Sequence, residues 1–300
     1  MKKIVVIGSL NMDLITQTDK LPIMGETLNG LSFRTVCGGK GGNQAYAAAK
    51  LGGNVTMFGC VGNDGFGQEL CGNLEKAGVD CSHIQVCDGI SSGIATITVY
   101  QGDNSIIIIA GANGQVSTKY IDQNIEFIKS ADFIVLQLEI PLETVAYITA
   151  FAAQKGIPVM LNPAPAQVIP DEIFHEIQYL IVNETECEFY TGIPVKTIED
   201  AKAGLQSLLD KGVPHAIVTL GSQGAVYDCG GEFYHEPARK VKAVDSTAAG
   251  DTFTAGIVVS LLEGNTMKDA VKFATKASSV VVTRMGAQSS IPDRAEVESL

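Results

Sequence analysis

Short runs of apolar, often β-branched residues recur along the chain, and most are separated by stretches with apolar positions at helical spacing. The runs predict strands at 3–7, 55–60, 133–137, 158–161, 179–182 and 216–219. They are continuous rather than alternating, which is the pattern of strands covered on both faces in a parallel sheet. The segments between them predict helices at 43–51, 65–77, 118–129, 142–154, 198–209, 251–262 and 267–283. Strand–helix alternation on this scale predicts an α/β fold, a doubly wound and mostly parallel sheet with helices on both faces.

Two stretches depart from the pattern. Residues 30–36 and 93–109 read as strand without an intervening helix. Ile94, Thr96, Thr98 and Tyr100 alternate with other β-formers, and Gln101-Gly102-Asp103-Asn104 supplies turn chemistry before the strand 105–109. These strands predict a small β-sheet lid, within about 11–36 and 92–112, on a single domain spanning 1–300. The run Ile106-Ile107-Ile108-Ile109 is too apolar for a lone solvated strand and calls for a cover, either the main domain or a second subunit.

Composition narrows the class. The 300 residues suffice for one large α/β domain or two small ones. A net charge of −12 repels nucleic-acid phosphates and anionic lipid, so neither is expected as a partner. The apolar run after Lys2 and Lys3 is stopped by Gly8 and Asn11 too early for a signal peptide, and no apolar stretch is long enough to span a bilayer. Seven cysteines, an odd number without Cys-x-x-Cys, argue against a disulfide framework or a zinc site and for a reducing, cytoplasmic location.

The strongest chemical signal is Asp245-Ser246-Thr247-Ala248-Ala249-Gly250-Asp251-Thr252-Phe253, small residues leading into an amphipathic helix. A helix start leaves backbone N–H groups unpaired, and Ala249 and Gly250 carry no bulk to block an approaching anion. Asp251 beside such a cradle suits a proton acceptor for a nucleophile; it suits a plain N-cap equally well. The glycine cluster at 38–42 reads as a turn before a helix, and it is not a Walker A loop because Gly follows Lys40. Asn11 and Asp13 follow a strand end, where a parallel sheet faces its ligand, though an Asx-turn explains them too. Asn183 and Glu186 share a helix face and also fit a capping box.

Five segments together resemble one family. Asp245–Phe253 is similar to the catalytic signature of the ribokinase-like carbohydrate kinases, in its Ala-Ala-Gly-Asp form. Gly38-Gly39-Lys40-Gly41-Gly42-Asn43-Gln44-Ala45 resembles the family's first signature, and Gly8-Ser9-Leu10-Asn11-Met12-Asp13-Leu14 its opening strand and sugar-binding turn. Val182-Asn183-Glu184-Thr185-Glu186 matches the family's Asn-x-x-Glu element, and Thr219-Leu220-Gly221-Ser222-Gln223-Gly224 its nucleotide loop. The matches run in the family's order over nearly the whole chain.

The resemblance implies an ATP-dependent kinase that phosphorylates the 5-hydroxyl of D-ribose. It assigns Asp251 as base, with Ala249 and Gly250 at the anion cradle and Lys40 near the transferring phosphate. It gives Asn11, Asp13, Gly39, Lys40, Asn43, Glu139 and Asp251 to the sugar. Asn183 and Glu186 would organise Mg²⁺ and phosphate, and Thr219, Gly221, Gly224, Gly250 and Thr275 would face the nucleotide. Asp245, Thr247, Val281, Arg284, Gly286 and Ser290 match positions around an activating K⁺, and the family implies a homodimer through the lid strands. Kinases for 2-deoxyribose, fructose or a nucleoside are the near alternatives. A dinucleotide-dependent dehydrogenase lacks its Gly-x-Gly-x-x-Gly here. A non-catalytic sugar-binding protein would have little need for Asp251 together with Lys40 and Asn183.

Overall fold

The computed structural model describes residues 2–101 and 103–300; Gly102, in the turn read at 101–104, lies outside the described residues. The main sheet has eight strands in the order Glu232–Glu236, Ala225–Cys229, His215–Thr219, Tyr179–Asn183, Val159–Leu161, Phe133–Leu136, Lys3–Ile7 and Asn54–Phe58. The six from His215–Thr219 to Asn54–Phe58 are parallel, and the first two are antiparallel additions at one edge. Alternate residues of each parallel strand point to opposite faces, so each face needs its own core. Val5, Ile7, Ile134, Leu136, Val159 and Val218 pack on one side, and Ile4, Val6, Phe133, Val135, Met160 and Ile217 on the other.

The antiparallel edge pair was not read from the sequence. Its turn is Gly230-Gly231, both at positive φ (65° and 83°), the two-residue loop that matches strand twist. The run read as 55–60 is interrupted at Gly59. Asn54–Phe58 joins the main sheet, and Cys60–Gly62 pairs with Gln85–Cys87 in a separate ribbon. The helix read at 118–129 divides into Thr118–Gln123 and Ile125–Ile128 around Asn124, whose side-chain amide donates to the Tyr120 carbonyl.

A second sheet of four strands, ordered Ser32–Gly38, Asn11–Gln17, Gly93–Tyr100 and Asp103–Ile109, stands over one end of the main sheet. The chain enters it directly from Lys3–Ile7 through Gly8-Ser9-Leu10 and returns to the main body at Gly38-Gly39. Strand Lys3–Ile7 is flanked by Asn54–Phe58 on one side and Phe133–Leu136 on the other. Its carboxyl end is therefore a point where the winding reverses, the place where open α/β sheets leave a crevice. The starts of Lys40–Lys50 and Ala249–Leu262 reach the crevice; Lys40–Lys50 and Met267–Val281 both pack on Ala249–Leu262, of which residues 251 to 260 are buried without interruption.

Candidate active site

The crevice between the lid and the carboxyl ends of the main strands is a cleft of about 880 Å³. Asn11, Asp13, Gly39, Lys40, Asn43, Glu139, Asn183, Glu186, Asp245, Thr247, Asp251 and Gly286 all line it. Residues spread over 276 positions of sequence thus share one surface because the strand ends and helix starts converge there.

Asp251 is not an N-cap. The helix begins at Ala249, with Ala248 as the capping residue in the left-handed region (φ 62°), so Asp251 sits third in the first turn. Ala249 N–H is taken by the Ser246 carbonyl at 3.2 Å. The amides of Gly250 and Asp251 have no acceptor among the described residues, so both remain for an anion. The Asp251 carboxylate is buried. Its Oδ2 accepts from Asn43 Nδ2 at 2.9 Å and its Oδ1 from Gln44 Nε2 at 3.0 Å.

Asn43 reaches Asp251 because the glycine cluster is not only a turn. The helix starts at Lys40, three residues earlier than read, and Gly41 and Gly42 lie within its first turn. Gly39 holds φ 81°, and a Cβ there would lie 2.6 Å from Asn11 N. A Cβ on Gly41 would lie 2.6 Å from Ser9 N. Only glycine lets the two backbones approach this closely.

Glu139 is tied into the same junction. Its Oε2 accepts from Ser9 Oγ at 2.5 Å, from Lys40 N–H at 3.0 Å and from Asn11 Nδ2 at 3.5 Å. Asn113, buried, donates to Asn11 Oδ1 at 2.7 Å and to the Leu10 carbonyl at 3.2 Å. That bond turns the Asn11 amide so that its N–H₂ faces Glu139. Asp13, half-buried, accepts no hydrogen bond among the described residues. Burial, with like charge from Glu139 and Asp251, pushes its carboxyl up to about 7. Burial alone would lower the Lys40 ammonium, but Asp251, Glu139 and Glu186 together hold it above the ordinary lysine value.

Asn183 and Glu186 form the capping box: Asn183 Oδ1 accepts from Glu186 N–H at 2.8 Å, and Glu186 Oε2 from Asn183 N–H at 3.0 Å. Asn183 Nδ2 and Glu186 Oε1 are left over, so capping does not exhaust either side chain. Burial raises the Glu186 carboxyl, opposed by the Asn183 amide and Lys40. Asp245 Oδ1 accepts from Thr247 N–H (2.9 Å) and Oγ1 (2.6 Å), and Oδ2 from Gly286 N–H (3.0 Å). Burial pushes the Asp245 carboxyl up, but these bonds and the charge of Arg34 hold it below the usual range.

The remaining predicted residues lie outside the cleft lining. Thr219 pairs with Asn183 across the strands and donates to the Val182 carbonyl at 3.3 Å. Gly221 faces Glu184, and Gly224 (φ 97°) passes so close to Glu236 and Ala238 that no side chain fits. Thr275 is buried with its hydroxyl unpaired among the described residues, one turn before Ser278, whose Oγ donates to the Ala249 carbonyl at 2.9 Å. Val281 is buried, Arg284 pairs with Glu296, and Ser290 Oγ donates to the Ala287 carbonyl at 2.7 Å. The sequence reading passed over Ser9, Gln44 and Asn113. The available signal for Gln44 was its place beside Asn43 in an otherwise alanine-rich helix, where a long amide has no solvent-side reason to be.

Comparison with known proteins agrees with this architecture. The family described as pfkB family carbohydrate kinase matches residues 1–294. The ribokinase of Bacillus subtilis (strain 168) is 41% identical over 300 residues, covering 100% of this chain and 99% of its own. The deoxyribokinase of Salmonella typhi is 42% identical over 291 residues, covering 96% and 95%. A solved structure of Arabidopsis thaliana ribokinase complexed with ribose and ATP superposes with a TM-score of 0.94 at 33% identity, over 99% of this chain and 98% of that one.

Proposed function

The chain belongs to the pfkB family of carbohydrate kinases, and from that premise we propose that it transfers the γ-phosphoryl group of ATP to the 5-hydroxyl of D-ribose, giving ribose 5-phosphate and ADP. The observation that carries this reading is Asp251, a buried carboxylate third in a helix whose Gly250 and Asp251 amides are unpaired among the described residues, at a cleft lined by sugar-competent side chains. In this reading Asp13, Asn11, Asn43, Gly39 and Glu139 take the sugar hydroxyls. Asp13 has both oxygens unspent, which suits adjacent hydroxyls on one ring.

Asp251 would accept the proton of the attacking hydroxyl, and the amides of Gly250 and Asp251 would receive the transferring group. Lys40, kept charged by three carboxylates, would offset the charge that develops there. The Thr219–Gly224 turn beside Asn183 would carry the nucleotide, with Thr275 near its base. Mg²⁺ bound with the ATP phosphates would supply charge neutralisation; Glu186 Oε1 could accept from its water shell, and Asn183 Nδ2 could donate to a phosphate oxygen. K⁺ fits beside Asp245 and Thr247. No N–H or O–H among the described residues is directed at the carbonyls of Arg284, Gly286 and Ser290, which leaves them free for a large monovalent ion.

A homodimer through the lid is part of this proposal. Ile106 and Ile108 line the cleft, whereas Ile107 and Ile109, 65% and 48% exposed in the isolated chain, lie on the opposite face of the strand, an apolar surface that a second copy would cover. No helix among the described residues is long and apolar enough to cross a membrane, and a cytoplasmic location is proposed with the rest.

ADP release measured against a panel of pentoses, hexoses and nucleosides tests the reading. Release that requires a sugar, with kcat/KM highest for ribose, is expected. A higher kcat/KM for 2-deoxyribose would transfer the assignment to that sugar, and release independent of any sugar would overturn it.

A further inference from the structure

A carboxylate rotates readily about its last side-chain bond, so a base that must meet one hydroxyl needs something to hold that rotation. For Asp251 the holders are two amides from adjacent residues, Asn43 on Oδ2 and Gln44 on Oδ1. An amide can present either its oxygen or its N–H₂, and the partner of its other end decides which. Gln44 Oε1 accepts from Gln137 Nε2 at 2.7 Å, so the N–H₂ end is the one left for Asp251.

Gln137 is fully buried and Gln44 is 1% exposed; neither lines the cleft. Gln137 makes this one side-chain bond, and its Oε1 is buried without any donor among the described residues. A buried unpaired oxygen opposes folding, and an apolar side chain of similar shape would avoid it. Gln137 also constrains its surroundings, because a Cβ on Gly8 would overlap its carboxamide. A side chain that leaves a buried oxygen unpaired and touches no ligand surface is explained by the one bond it makes.

We propose that Gln44, oriented by Gln137, is the positioning residue for Asp251. The pair fixes the carboxylate through a neutral amide donor, Gln44, whose other end is held by Gln137. The inference rests on the reading of Asp251 as the group that takes the sugar's proton.

The test is a set of kinetic cycles on the full chain. Gln137→Met keeps the shape and removes both the orienting donor and the orphan oxygen. Its melting temperature is expected to equal or exceed that of wild type, while kcat falls by about 10–100-fold, the scale of a misplaced reacting group, and both KM values stay within about threefold. Gln44→Met is expected to lose kcat to at least the same degree. In an Asp251→Asn background neither change should reduce kcat further by more than about threefold, because a residue acting through Asp251 has nothing left to position. Wild-type kcat in Gln137→Met overturns the inference, and so do losses that repeat in full in the Asp251→Asn background. If Asp251→Asn alone keeps wild-type kcat, the reading of Asp251 falls and the inference with it; the other two outcomes leave that reading standing.

Discussion

Asp13→Asn should make the ligand-free protein more stable above neutral pH while it damages sugar binding. Asp13 is held at about 7 against 3.8 for a free aspartate, first by burial and then by Glu139 and Asp251. Between those two pH values the folded state holds a proton that the unfolded state has lost. Stability therefore falls as pH rises through this window, and the full cost of the ionised group is present above about 7. At roughly 1.36 kcal/mol per pH unit the difference corresponds to about 4 kcal/mol, and water at the partly exposed carboxylate reduces the expected gain to about 2 kcal/mol. Asparagine removes the charge, and it breaks no hydrogen bond because Asp13 accepts none among the described residues. Denaturant unfolding of both proteins from pH 4.5 to 9 reads the effect (about ten pH points suffice). The gap between the variant and wild type should open as pH rises and level off above about 7. A gap independent of pH, or a variant less stable than wild type at pH ~8, would refute the reasoning. The same linkage requires ribose binding near pH ~7 to release protons, since hydroxyl donors favour the ionised carboxylate; calorimetry in buffers of different ionisation enthalpy measures that release.

Asp251→Asn is expected to lower kcat by about 10²–10⁴, as for a lost general base. It also sets an N–H₂ against the donors of Asn43 or Gln44, so stability should drop by about 1–3 kcal/mol, measured by thermal unfolding. Activity should be higher in K⁺ than in Na⁺ or Li⁺ at matched ionic strength, and Asp245→Ala should remove most of the difference; equal rates in the three salts would exclude the cation site. Ile107→Lys, at a position 65% exposed in the isolated chain, should shift a dimer to monomer in sedimentation velocity, and an unchanged sedimentation coefficient would exclude the lid as the interface.

The apolar runs placed the six parallel strands to within two residues, because a strand buried on both faces must be apolar at every position. The same rule hid the antiparallel edge. Ala225–Cys229 and Glu232–Glu236 are half polar, and their pairing was signalled only by Gly230-Gly231, a local turn that says nothing of which sheet it joins. The ordered motifs named Asp13, Lys40, Asn43, Asn183, Glu186 and Asp251, which the fold brings to one cleft, since glycines and carboxylates at strand ends and helix starts are set by local backbone chemistry. The support behind them was not legible. Whether Asp251 caps its helix or stands third in it depends on Ala248 taking a left-handed turn, which sequence leaves open. Ser9 against Glu139, Asn113 against Asn11, and Gln137 against Gln44 against Asp251 join residues 93 to 207 positions apart. A local pattern cannot specify such contacts. They exist because the winding reverses beside Lys3–Ile7 and brings its carboxyl end, the lid's roots and two helix starts into a volume small enough for buried amides to find one another.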